Sequence, residues 1–185
     1  MAWSLGAPSV DDLEQILFDF READAVDDWK SIDDRVMGGV SESEMVASDR
    51  KSALFRGQVS MENNGGFASV RSPAQERDWT GVEFVVLRVH GDGKTYSINL
   101  KNDPGLDGVT YRASFATMAG QWMTVVLPIR SFRPVFRGRP VPNAGSLDLR
   151  RVYSAGLMIS GKQTGPFELE LESIVGRRSK TSPLP

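Results

Sequence analysis

Apolar and polar side chains alternate along most of this chain. In Phe167-Glu168-Leu169-Glu170-Leu171-Glu172 every second residue is apolar and the others are acidic. A period of two puts one face on a core and the other in water, which predicts a half-buried strand. The same period places Tyr96, Ile98 and Leu100 on one face of 95–100, and Val109, Tyr111, Ala113 and Phe115 on one face of 109–117. Residues 82–89 are almost continuously apolar and 122–127 nearly so, as expected of mid-sheet strands covered on both sides. Further strand candidates at 17–20, 43–47, 53–59, 67–71 and 153–160 bring the count to about ten. A helical start is expected only near the N-terminus, where Ser9 followed by Asp12 has the form of a cap, predicting a short helix over 10–17.

Clusters of Gly, Pro, Asn and Asp separate these segments at near-regular spacing, the pattern of an antiparallel sandwich or barrel. Asn63-Asn64-Gly65-Gly66 and Gly91-Asp92-Gly93 are read as tight reversals, and Gly65-Gly66 is expected to aim Phe67 into the core. Residues 131–146, with three Pro and two Gly, are expected to form a long irregular connection. The organisation predicted is an N-terminal extension with the short helix (1–15), one β-sandwich domain (16–176) and a disordered basic tail (177–185).

With 185 residues the chain is long enough to bury a full core without staples. No Cys and a single His, His90, exclude disulfides and thiolate chemistry and leave no expected metal site; no cofactor is expected either. No apolar run is long enough to span a membrane as a helix, and the first residues lack a secretory or transit pattern, so a cytoplasmic protein is expected, peripheral to a membrane at most. The formal charge of −2 hides an asymmetry: residues 11–34 carry ten acids and two bases, while 130–151 carry six Arg and one acid. These segments either close on each other or offer a partner an oriented field. The short basic stretch in an acidic chain gives little support to nucleic-acid binding.

Catalytic motifs are sparse. Gly91-Asp92-Gly93-Lys94-Thr95 lacks the upstream Gly of a phosphate loop and precedes a strand. His90 with Asp92 or Asp33 is the one acid–base set that can be written down, and packing is its plainer reading. Asp33-Asp34 point to opposite sides if extended, so Asx turns and a salt bridge to Arg35 explain them better than a carboxylate dyad.

Seven strings in order are similar to one family. They are Trp29 with Asp33-Asp34-Arg35-Val36-Met37-Gly38-Gly39-Val40-Ser41; Phe55-Arg56-Gly57; Asn63-Asn64-Gly65-Gly66-Phe67-Ala68-Ser69-Val70-Arg71; Gly91-Asp92-Gly93 with Tyr96; Trp122 with Pro128; Phe132 with Phe136-Arg137-Gly138-Arg139; and Lys162-Gln163 with Gly165-Pro166-Phe167. Together they resemble the complex I intermediate-associated protein 30 family. The resemblance implies a galactose-binding-like jelly-roll sandwich, making the expected fold an all-β jelly roll of about ten strands with one short N-terminal helix. It also implies a non-catalytic, chaperone-like assembly factor. The expected partner is a protein client from a respiratory, complex I-like, or photosynthetic membrane complex, bound by a monomer without stable membrane insertion.

Planar guanidinium groups suit carboxylates, phosphates and aromatic faces, which makes Arg35, Arg71, Arg137 and Arg139 the leading partner-binding candidates, joined by Asn63, Tyr96 and Lys162. Arg35, Asn63, Arg71 and Tyr96 are expected to converge on a polar groove. The alternative is a carbohydrate-binding module of jelly-roll type, with Trp29, Trp79, Trp122 or Tyr96 as stacking platforms.

Overall fold

The computed structural model describes residues 14–179. Thirteen strands follow in order: β1 (Glu14–Asp19), β2 (Lys30–Ser31), β3 (Glu42–Ser48), β4 (Ser52–Val59), β5 (Ala68–Arg71), β6 (Phe84–Gly91), β7 (Thr95–Lys101), β8 (Thr110–Ala116), β9 (Gln121–Pro128), β10 (Arg133–Phe136), β11 (Arg139–Pro140), β12 (Ser154–Ile159) and β13 (Gly165–Arg177). They form two antiparallel sheets. The six-stranded sheet runs β3-β4-β13-β6-β9 with β1 also on β13, and the seven-stranded sheet runs β11-β10-β8-β7-β12-β5-β2. The chain is therefore an all-β sandwich, and each of the ten expected strands has its counterpart.

Between the sheets lies a core in which Phe55, Leu87, Ile98, Leu100, Leu157, Leu169 and Leu171 are fully buried. Long β13 organises the six-stranded sheet: β4 pairs with its first half and β1 with its second, while β6 runs along the other edge. A register shift between Leu171 and Ser173 changes which residues point inward, from Phe167, Leu169 and Leu171 to Ile174. The bulge thus continues the strand past the point where the sequence alternation breaks.

Several expectations are corrected. Residues 14–17 belong to strand β1 rather than to a helix, because Ile16 and Phe18 find a pairing edge on β13; the remainder of the expected helix lies outside the described residues, as does most of the tail. Of the two segments expected mid-sheet, β6 is interior but β9 is an edge strand with Val126 exposed. Glu170 is buried rather than solvated, with Ser52 Oγ donating to it at 2.9 Å and Arg50 at 3.3 Å. The connection at 131–146 is partly regular: it holds the β10–β11 hairpin, turned by Arg137 and Gly138 at φ 47° and 77°. Two positive φ values are what a two-residue hairpin turn requires. The two supposed reversals are corners instead, since 62–66 joins β4 to β5 and 91–93 joins β6 to β7, each time crossing from one sheet to the other.

Candidate functional site

A cleft of about 1110 Å³ lies over the outward face of the seven-stranded sheet. Its floor follows from register. Arg71 of β5 faces Gly156 of β12, Gly156 faces Asn99 of β7, and Asn99 faces Arg112 of β8, so four residues from four strands form one row. Their sequence neighbours Val70, Ala155, Ile98, Leu100, Tyr111 and Ala113 point into the core, which obliges the row to point out. A Cβ on Gly156 would lie 2.6 Å from the Val70 carbonyl oxygen, so glycine is the residue that fits and the floor dips there.

One wall is held in place by Asp33, which lines the cleft, and by Asp34, buried behind it. Asp33 accepts hydrogen bonds from Ser43 N (2.9 Å) and Oγ (2.6 Å) in one sheet and from Ser69 N (2.9 Å) in the other. Fully buried Asp34 accepts from Ser41 N (2.9 Å), Ser41 Oγ (2.5 Å), Gly66 N (2.7 Å) and Phe67 N (3.3 Å). The adjacent carboxylates staple the two sheets at one end and set Arg35, Met37, Gly66 and Phe67 along the cleft. This replaces the expected pairing with Arg35, whose guanidinium donates instead to Glu42 at 3.0 Å. Burial raises the Asp33 carboxyl above its ordinary pKa, and the donors from Ser43 and Ser69 offset that only in part. At Asp34 burial pushes the same way, but the Ser41 hydroxyl and three backbone amides outweigh it and the pKa falls below the ordinary value. The glycines around Asp34 follow directly: a Cβ on Gly39 would lie 2.3 Å from Asp34 Oδ1 and one on Gly65 2.5 Å from Oδ2. Phe67 is half-buried at the cleft wall rather than in the core.

The opposite wall comes from the β7–β8 loop, with Leu106 and Asp107, and from the β10–β11 hairpin, with Val135, Arg137 and Gly138. Arg137 lies over the Phe136 ring and donates to Asp107 at 2.8 Å. On the floor, Arg71 Nη1 donates to the Leu106 carbonyl at 3.2 Å and Arg112 Nε to Asn99 Oδ1 at 2.9 Å. Among the described residues neither guanidinium has a carboxylate within ion-pair distance. Burial lowers the pKa of both; at Arg71 the charge of Asp103 works against the shift.

Of the expected site residues, Arg35, Arg71 and Arg137 line this cleft. Tyr96 does not: it is 1% exposed, packed near Phe55, Phe115 and Phe167, with its hydroxyl donating to the Glu168 carbonyl at 3.2 Å. Desolvation, followed by the charge of Asp92, raises its pKa well beyond the usual phenol value. Asn63, Arg139 and Lys162 are exposed and stand outside the cleft lining. Missed were Asn99 and Arg112, although strict alternation in 95–100 and 109–117 already turned both away from the core.

The stacking platforms fail as a set. Trp29, Trp79 and Tyr96 are buried, Trp122 lies on β9 of the other sheet beside Arg88 and His90, and among the described residues the one aromatic lining the cleft is Phe67. His90 is on β6, in the other sheet from the cleft, while Asp33 is engaged with Ser43 and Ser69 and Asp92 accepts from Lys94 and from Glu168 N. Among the described residues no ion pair joins the acidic and basic segments; Arg21 pairs with Asp19, Arg150 with Asp148 and Arg137 with Asp107.

The residues that build the cleft, from the Asp33-Asp34 wall to the Arg71 floor, fall inside a match to the complex I intermediate-associated protein 30 family that runs over residues 18–171. The chain belongs to this family. Its relatives include mitochondrial complex I intermediate-associated protein 30 of Drosophila melanogaster, 28% identical over 86% of this chain and 61% of the relative. The Mus musculus protein of the same name is 30% identical over 86% of this chain and 55% of the relative. This chain thus spans little more than half the length of those two. An uncharacterized protein of Schizosaccharomyces pombe is 30% identical over 80% of this chain and 76% of its own length. Among solved structures, a family 11 carbohydrate-binding module of Clostridium thermocellum superposes with a TM-score of 0.68 at 18% identity, covering 90% of this chain and 95% of the module. The same module family in complex with a β-1,3-1,4-mixed-linked tetrasaccharide gives 0.66 at 20% identity, covering 90% and 96%. At such identity the likeness establishes a shared jelly-roll-like sandwich and leaves ligands aside.

Proposed function

We propose that this chain is a non-catalytic assembly factor that holds a protein client during biogenesis of a respiratory, complex I-like membrane complex, with the cleft on the seven-stranded sheet as the client site. Family membership over residues 18–171 carries the reading, since the named relatives are associated with complex I intermediates. The cleft supports it: rigid strands supply the floor, and loops from both ends supply contact residues of mixed character. Arg35, Arg71 and Arg137 are the proposed contacts; Asn63, Arg139 and Lys162 fall outside it. The chain acts as a monomer. Among the described residues no helix is long and apolar enough to cross a membrane, and we place the protein at the membrane periphery through its client.

Affinity purification of the tagged chain from its native host in mild detergent tests this reading. Subunits of the membrane-bound respiratory complex should be recovered; photosynthetic subunits alone would reassign the client, and neither would overturn the proposal. Arg137→Glu should weaken that capture, while Arg139→Glu should leave it intact. Each should shift stability by no more than about 0.5 kcal/mol, as surface substitutions do.

A further inference from the structure

We propose that Arg71 and Arg112 form an acid-reading subsite on the cleft floor, so that the client segment seated there is extended and presents a carboxylate side chain flanked by apolar ones. This rests on the cleft being the client site. The charge inventory of the cleft singles out the pair. Arg35 is matched by Glu42, Arg137 by Asp107, and Asp33 is held by Ser43 and Ser69. The charge of Asp103 reaches Arg71 from beyond ion-pair distance, but that carboxylate is itself paired with Lys101 at 3.2 Å. What is left among the described residues is two half-buried guanidinium groups, each anchored by one neutral acceptor and each retaining further N–H donors.

A half-buried cation with no carboxylate in direct contact is costly in a folded protein, and a carboxylate placed against it recovers that cost through charge-assisted, bidentate bonds. Three strand spacings separate β5 from β8, so the Arg71 and Arg112 backbones are about 14 Å apart, the reach of an extended segment of roughly four residues. Gly156 lowers the floor between them. Around this trench the apolar side chains are open: Leu106 is 80% exposed and Met37 60%, and the half-buried Val135 and Met158 also line it. A free small anion would leave that apolar lining unused, a sugar would meet a single half-buried ring, Phe67, among the described residues of the lining, and Glu42, Asp33 and Asp107 disfavour a nucleic-acid backbone.

The probe is an array of blocked synthetic peptides varied in Asp, Glu, Gln, Lys, Leu and Ser, read with wild-type protein and with three variants. Wild type should select acids next to Leu. Arg71→Gln with Arg112→Gln should weaken binding of acid-bearing peptides at least about tenfold, while Gln-bearing ones are unaffected. Arg71→Lys with Arg112→Lys should restore part of the acid preference, which separates charge recognition from damage to the fold. Acid selection that is absent in wild type, or unchanged in the Gln variant, would overturn the subsite while leaving the cleft reading in place. If Met158→Asp with Leu106→Asp leaves binding unchanged, or if no peptide binds the wild type, the cleft reading itself falls and the subsite with it.

Discussion

Asp33 and Asp34 are neighbours in sequence with opposite titration behaviour. Asp34 has a depressed pKa, so its contribution to stability is complete above the unfolded carboxylate value of about pH 4 and is lost as pH falls through its lower folded value. Asp33 has a raised pKa, so its contribution is present below about pH 4 and is lost as pH rises through the folded value. In thermal melts taken from about pH 6 to about pH 3, Asp34→Asn should flatten the acid-side fall in Tm and Asp33→Asn should steepen it. At neutral pH, Asp34→Asn should cost about 2–4 kcal/mol, because the amide turns a donor toward groups that themselves donate. Identical slopes for the two variants would contradict the environments described. None of this was legible in the adjacent acids as such, since their partners arrive from residues 41–43 and 66–69.

Elements differ in how far local pattern specified them. Alternation located β7 and β8 closely, and with them the outward faces that carry Asn99 and Arg112. It placed β1 only in part: a strand was expected at 17–20, but a cap-like Ser9 and Asp12 suggested a helix over the residues before it, and 14–19 pairs with β13. Propensity yielded there to a vacant strand edge. It also missed the β10–β11 hairpin, whose turn places Arg137 at positive φ, a conformation more usual for Gly or Asn. The loop of Met37, Gly38 and Gly39 shows two uses of one residue type. Gly38 has φ 89° and open space where a Cβ would go, so Gly38→Ala should cost about 1–2 kcal/mol from backbone strain alone. Gly39→Ala drives a methyl into the Asp34 carboxylate and should cost at least about 2 kcal/mol, enough to loosen the staple. Denaturant unfolding of the two variants checks the order; a Gly39→Ala as mild as Gly38→Ala would mean that Asp34 is not held where we find it.

At the scale of the whole molecule, the ion pairs among the described residues are mostly exposed, with Glu170 and Lys101 the buried members, whereas Arg71 and Arg112, which have no ion-pair partner there, face the cleft. Salt should therefore leave the unfolding midpoint nearly unchanged between about 0.05 and 0.5 M, yet weaken client capture several-fold, as exposed pairs contribute little and steering charges are screened. Equal sensitivity of both would place the charges in fold stability instead. By itself the sequence determined the class of the fold and ten of its strands, because alternation over a few residues is a local consequence of having one wet and one dry face. The family, too, was readable, from strings of Gly and Asp whose tight geometry admits few substitutes. Only the tertiary structure decided which charges remain unpaired, which aromatic rings are buried, and that Arg71, Asn99 and Arg112 share one floor. Those facts depend on the register between strands distant in sequence, which no single strand encodes.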